Sequence, residues 1–221
     1  MDLSLQKKAF LAQAAYEQDI NVMIELLTGM FGIDILDIEP IYVPRTDTEG
    51  FMARVEDTCI VGFSGTESLC DLRHDLIFLP AAYHGGYIHA GFKMIINDIR
   101  GPVINGIRSL SLVDPVKNII AIGHSLGASI AMGACDILYF AGYDSVPMEI
   151  TTFGCPNGWS RGATEGFNTR HPNTINYINH FDYVTWLLGF TTGRPGRDIK
   201  LSGKWGHTMA KYESNIKKIL A

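Results

Sequence analysis

The chain has 221 residues, is 47% hydrophobic and only 19% charged, and carries a net charge of −5. A chain this long and apolar buries a large core, which excludes disorder, and at ~100–200 residues per domain it reads as a single domain over residues 1–221. Its mildly acidic balance lacks the footprint of a nucleic-acid binder or of a polybasic membrane anchor.

In chain order, Leu3, Phe10, Ala14, Ile20, Ile24 and Leu27 recur at helical spacing and predict one amphipathic helix over 3–28, ended by Gly29 and Gly32. Short β-type runs follow at 35–38, 40–43, 51–55 and 59–63, separated by turn-forming residues, and predict an antiparallel meander. The chain then alternates. A helix is expected over 92–110 with a break at Gly101-Pro102, a buried strand over 117–123 and a small-residue helix over 128–140. Strands at 149–153 and 174–179 and a last helix over 207–220 complete the pattern, with 154–168 read as a glycine-rich loop. The fold class is α/β: a central, mostly parallel sheet with antiparallel N-terminal strands and helices on both faces.

Cys59, Cys70, Cys135 and Cys155 follow no CxxC or zinc-ribbon spacing and read as reduced thiols filling core gaps. Residues 9–16 are too short and too polar for the apolar core of a signal peptide, and no run reaches the ~18 apolar residues of a membrane span. A soluble, cytoplasmic protein is expected, or one released by lysis, with no transmembrane segment. Oligomeric state leaves no mark in the sequence.

The strongest chemical signal is Gly123-His124-Ser125-Leu126-Gly127, which leaves a strand and opens a helix. A serine at such a turn projects its hydroxyl above the sheet edge, and side chains two residues to either side would collide, hence the glycines. The helix aims its free N–H groups at the site, so the Leu126 N–H is a candidate oxyanion donor. A serine nucleophile needs a base, and the base an orienting acid, both beyond the carboxyl ends of later strands. Asp182 alone follows directly off a buried strand, with Asp198 as the fallback; His207 is the histidine downstream of it. His124, inside the elbow, reads as packing. Thr66, after Ser64-Gly65 at the end of the 59–63 strand, offers a backbone N–H and a hydroxyl as a second oxyanion donor; a plain turn is the other reading.

These motifs, together with Ile88-His89-Ala90-Gly91-Phe92, Phe153-Gly154-Cys155-Pro156 and Asn179-His180-Phe181-Asp182-Tyr183-Val184, occur in an order that resembles the class 3 lipases, the fungal-type triacylglycerol lipases, over about residues 58–210. The resemblance implies an α/β-hydrolase fold and a serine hydrolase of lipid or small acyl esters that needs no cofactor and no metal; a phospholipase or a short-chain carboxylesterase or thioesterase with the same triad, or a catalytically silent hydrolase-like binding protein, is the alternative. It implies the triad Ser125, Asp182 and His207, with Thr66 and Leu126 forming the oxyanion hole. It also implies transient contact with a lipid interface, through a lid in the 67–87 region; an ordinary core-packing helix fits that stretch equally. The chain departs from the family at Ser64, where arginine is usual, at Pro156-Asn157-Gly158-Trp159 in place of Pro-Arg-Val-Gly, and in lacking prolines near Thr185 and Leu188. The departures point to a divergent member with its own substrate. The 186–190 run suits either the mouth of an acyl pocket or core. His74, His84 and His89 have no metal-ligand spacing, and Arg194 and Arg197 read as a solvated turn in preference to an anion site.

Overall fold

A computed structural model describes residues 3–32, 37–65, 79–186 and 193–220. The meander is β1 (Ile38–Val43), β2 (Thr48–Val55) and β3 (Thr58–Phe63), paired antiparallel. From β3 the sheet turns parallel through β6 (Asn118–His124), β7 (Met148–Phe153), β8 (Thr174–Asn179) and β9 (Arg197–Leu201), giving the order β1-β2-β3-β6-β7-β8-β9. All six residues of β3 are buried, as a strand covered on both faces requires. Two short strands, β4 (Pro80–Tyr83) and β5 (Gly86–His89), form a separate hairpin.

Helices α1 (Leu5–Ala14) and α2 (Ile20–Phe31) open the chain; α3 (Ala90–Leu110), α4 (Leu126–Leu138), α5 (Arg161–Arg170) and α6 (Met209–Ile219) follow. Two core clusters lie on opposite faces of the sheet. One joins Val61, Phe63 and Ala121 to α3 and α4, and the other joins Ile60, Ile120 and Ile122 to α1 and α6. Adjacent strand residues thus feed opposite cores, the period-two alternation of a two-faced sheet. Leu126–Tyr143 has the length and hydropathy of a membrane span, but 72% of it is buried inside the fold, and α4 is entirely core.

Several predicted elements differ from those observed. The first helix is two, separated by a turn over 15–19, because Asp19 caps α2 by accepting the Asn21 N–H at 2.8 Å. Helix α3 runs unbroken through Pro102, its buried stripe of Ile99, Val103 and Ile107 holding both halves on the sheet. The stretch read as a loop over 154–168 contains α5. Its glycines are packing residues: a Cβ at Gly162 would meet the Gly85 carbonyl at 2.6 Å, so the β4–β5 hairpin lies directly on the helix. Strand β9 escaped notice because Arg197, Asp198 and Lys200 leave only Leu201 buried, the pattern of a charged edge strand. Within the 67–87 region, residues 80–87 belong to the β4–β5 hairpin and not to a helix; residues 66–78 lie outside the described ones. Cys59, Cys135 and Cys155 are free and buried, as read; Cys70 falls among the undescribed residues.

Candidate active site

The turn between β6 and α4 holds Ser125 at φ 57° and ψ −127°, a left-handed backbone that costs a non-glycine residue free energy and persists only where its surroundings impose it. Here the Ser125 N–H donates to the Phe153 carbonyl at 3.0 Å, and its own carbonyl accepts from Ala128 at 3.1 Å. A Cβ at Gly123 would collide with the Gly127 carbonyl, and one at Gly127 with the carbonyls of Phe63 and Ser64. Both glycines are therefore demanded by the turn. Leu126 is the first residue of α4, so its N–H has no intrahelical acceptor.

Asp182 lies just past β8, after Phe181, which is itself left-handed at φ 53°. Its carboxylate is buried and fully used. Oδ2 accepts from His207 Nδ1 at 2.8 Å and from the Tyr212 hydroxyl at 2.6 Å, while Oδ1 accepts from the Val184 N–H at 3.1 Å. A carboxylate acceptor places the His207 proton on Nδ1 and leaves Nε2 as a base. Neither His207 Nε2 nor Ser125 Oγ has a hydrogen-bond partner among the described residues, and both atoms are buried. Gly154 packs against this pair: a Cβ there would stand 2.9 Å from the His207 ring and 3.0 Å from Asp182 Oδ2.

The His207 loop is tied down from several sides. Asn179 Nδ2 donates to the Gly206 carbonyl at 3.0 Å, and Asn215 brackets Lys204, accepting its N–H at 2.7 Å and donating to its carbonyl at 2.8 Å. His207 itself precedes α6 by two residues, because Thr208 is the cap. Burial, and then the charge of Asp182, push the acidity constant of the Tyr212 hydroxyl up, so it remains a hydrogen-bond donor to that carboxylate.

His124 does more than pack. Its Nε2 lies 2.6 Å from the His207 carbonyl, and its Nδ1 lies 2.6 Å from the Tyr16 hydroxyl. Tyr16 in turn accepts the Gly65 N–H at 3.0 Å, and a Cβ at Gly65 would fall 2.7 Å from that of Ser125. Thr66, the expected oxyanion donor, is the next residue and lies outside the described ones. Asp198, the fallback acid, is engaged elsewhere: it accepts from Asn176 at 3.0 Å and pairs with Arg194 at 3.2 Å. Arg194 is no solvated turn residue. It is buried, donates to the Thr185 carbonyl at 3.0 Å and also to that of Cys155, and so braces the segment carrying Asp182. His89 caps α3, accepting the Gly91 N–H at 3.1 Å. Of the 186–190 run, only Trp186 is described; it is half-exposed.

Tyr16, Tyr212, Asn179 and Asn215 were missed by the sequence reading. Asn179 ends the strand before the acid, and Tyr212 lies on the helix after the histidine; Tyr16 carries no local signal.

A nucleophile elbow above a sheet that turns from antiparallel to parallel, with acid and histidine beyond later strands, defines the α/β-hydrolase fold. Residues 60–191 match the model of the family described as Lipase (class 3). The chain belongs to the class 3 lipase family. It is 30% identical over 159 residues, 62% of this chain, to the secreted mono- and diacylglycerol lipase 2 of Gibberella zeae. That match spans 37% of the relative's own length. Among solved structures, a lipase from Rhizopus microsporus var. chinensis superposes with a TM-score of 0.75 at 22% identity, over 91% of this chain and 74% of that one. The triacylglyceride lipase of Rhizomucor miehei gives 0.74 at 18% identity, over 91% and 82%. The expected cytoplasmic location is corrected by the Gibberella relative, which is named as secreted. The N-terminal residues behind that expectation form α1, buried between the sheet and α6, and their composition answers to the core.

Proposed function

We propose that this chain is a serine ester hydrolase of the lipase type, acting on acyl esters of lipids through a covalent acyl-enzyme. The observation that supports this reading is the buried Asp182–His207 pair, whose Nε2 has no hydrogen-bond partner among the described residues, as is also true of the Ser125 hydroxyl on its left-handed turn. His207 Nε2 takes the proton of Ser125 as Oγ bonds to the acyl carbon, and the carbonyl π pair moves onto oxygen. Asp182 holds the ring and stabilises its cation. The N–H of Leu126 and the N–H and hydroxyl of Thr66 bind the oxyanion. Collapse of the intermediate expels the alcohol, which takes the proton from Nε2. Water then bonds to the acyl carbon as the same nitrogen takes its proton, and the acid leaves as the bond to Ser125 Oγ breaks and that proton returns to Oγ.

The test is hydrolysis of p-nitrophenyl esters from acetyl to palmitoyl, with and without a lipid emulsion, by the protein and by Ser125→Ala. Ser125→Ala is expected to lose on the order of 10⁶-fold in kcat. Rates rising with chain length at an interface support a lipase, and activity confined to short esters restricts the reading to an esterase. Equal rates for protein and variant refute it.

A further inference from the structure

Asp182 and His207 stand on different loops, one after β8 and one after β9, so something other than chain continuity must hold them in register. The loop over 202–207 makes no backbone-to-backbone hydrogen bond among the described residues. Its main chain is held by side chains alone: Lys204 by Asn215, Gly206 by Asn179 and His207 by His124.

Asn215 lies fully buried on α6 and grips both sides of one peptide residue. Its Oδ1 accepts the Lys204 N–H at 2.7 Å, and its Nδ2 donates to the Lys204 carbonyl and to Asn179 Oδ1, both at 2.8 Å. A backbone N–H only donates and a carbonyl only accepts, so a single amide orientation satisfies the set and uses both Nδ2 hydrogens. Asn179, buried in turn, carries the grip forward through its own Nδ2 to the Gly206 carbonyl at 3.0 Å, the residue before His207. The loop is shaped to this contact. Gly203 sits at φ 129°, and a Cβ there would strike Asn215 Oδ1.

Three residues earlier, on the same face of α6, Tyr212 reaches the acid. Its hydroxyl accepts the Asn179 N–H at 3.1 Å and donates to Asp182 Oδ2 at 2.6 Å. One helix therefore touches the carboxylate with one side chain and the loop of the base with the next, and Asn179 meets both.

We propose that Asn215 is a positioning residue for His207: through Lys204 and Asn179 it fixes the loop of the base against α6, the helix that also holds Asp182. The consequence for rate rests on the proposed esterase reading; the register of acid and base does not. With the register intact, the Asp182 carboxylate keeps the ring proton on His207 Nδ1. With it loosened, the proton redistributes between the two ring nitrogens.

Two variants disturb the contact from opposite sides. Asn215→Ser removes the amide and leaves room for water, and Gly203→Ala pushes the amide from the loop. Asp136→Asn is the control, since it breaks a buried ion pair with Arg170 on the opposite face of the sheet from α6. Each is measured by steady-state kinetics on p-nitrophenyl butyrate, well below its melting temperature, and by the nitrogen-15 NMR shifts of the His207 ring, identified by their absence from His207→Gln. Asn215→Ser and Gly203→Ala are each expected to lower kcat by about 10–100-fold with KM within about twofold, and to draw the Nδ1 and Nε2 shifts toward each other. Asp136→Asn is expected to lower the melting temperature and leave kcat and the shifts in place. Ring shifts unmoved in both variants, kcat unmoved in a protein that hydrolyses the ester, or an equal effect of Asp136→Asn overturns the proposal. A protein without esterase activity whose ring shifts move in both variants upholds the positioning and refutes the catalytic reading; ester hydrolysis with the shifts unmoved does the reverse.

Discussion

The Nε2–H of His124 donates to the backbone carbonyl of His207 at 2.6 Å, so the residue before the nucleophile holds the loop that carries the base. A carbonyl only accepts, which fixes the tautomer: Nδ1 is the acceptor and the Tyr16 hydroxyl the donor, at 2.6 Å. The Tyr16 oxygen then takes the Gly65 N–H. Three segments remote in sequence are joined by one buried, neutral ring.

Removing that ring tests its role. His124→Ala removes the donor to the His207 carbonyl and the ring acceptor of the Tyr16 hydroxyl, and is expected to lower kcat on a soluble short ester by about 10–100-fold with KM little changed. His124→Gln keeps an N–H at the same reach and recovers most of the loss. Steady-state kinetics of the two variants separates a hydrogen-bond strut from packing, since packing predicts equal losses.

The same ring makes stability depend on pH. Burial first, and then the neighbouring His207, lower the His124 acidity constant to about 3. An unfolded histidine takes its proton near pH ~6.5 while the folded one refuses it, so the unfolded state binds more protons in between. The stabilisation is complete above that pH and is lost as pH falls toward 3. Urea unfolding at pH 7 and pH 5 is expected to differ by about 2 kcal/mol from this group, and the difference shrinks in His124→Gln.

The two candidate acids separate cleanly. Asp182→Asn is expected to lower kcat by about 10⁴-fold, because an amide stabilises neither the tautomer nor the cation of His207. Asp198→Asn, which loosens Arg194 and the brace behind Thr185, costs stability and leaves the rate within about tenfold. Full loss in Asp198→Asn with activity retained in Asp182→Asn reverses the assignment.

A second buried carboxylate is structural. Asp136 accepts two hydrogen bonds from Arg170, at 2.8 and 2.9 Å, and meets His171 Nε2 at 3.0 Å. Burial alone raises its acidity constant, but these partners outweigh it and hold it below the usual carboxylate range. Asp136→Asn leaves Arg170 without a counter-charge and is expected to cost about 3 kcal/mol in denaturant unfolding. Its place on α4, about 15 Å along the helix from Ser125, predicts an unchanged kcat.

The local sequence determined the class of the chain and the positions of its chemistry. The β6 apolar run, the paired glycines around Ser125 and the small-residue helix after it state their geometry within ten or so residues, because sterics at a tight turn are local. Strand β8 likewise marked Asp182 as a residue beyond a strand end. Local pattern misled where a residue's meaning lay in its neighbour across space: Gly162 reads as a breaker until the hairpin lies on it, and Arg194 reads as solvated until Asp198 and two carbonyls surround it. Which atoms meet was decided by tertiary structure alone. Tyr16, His124 and His207 belong to elements with no pattern linking them, and Tyr212 reaches Asp182 only because α6 packs beneath the sheet. Hydrogen bonds at this range follow from how whole elements stack, and stacking is set by the two cores on either face of the sheet.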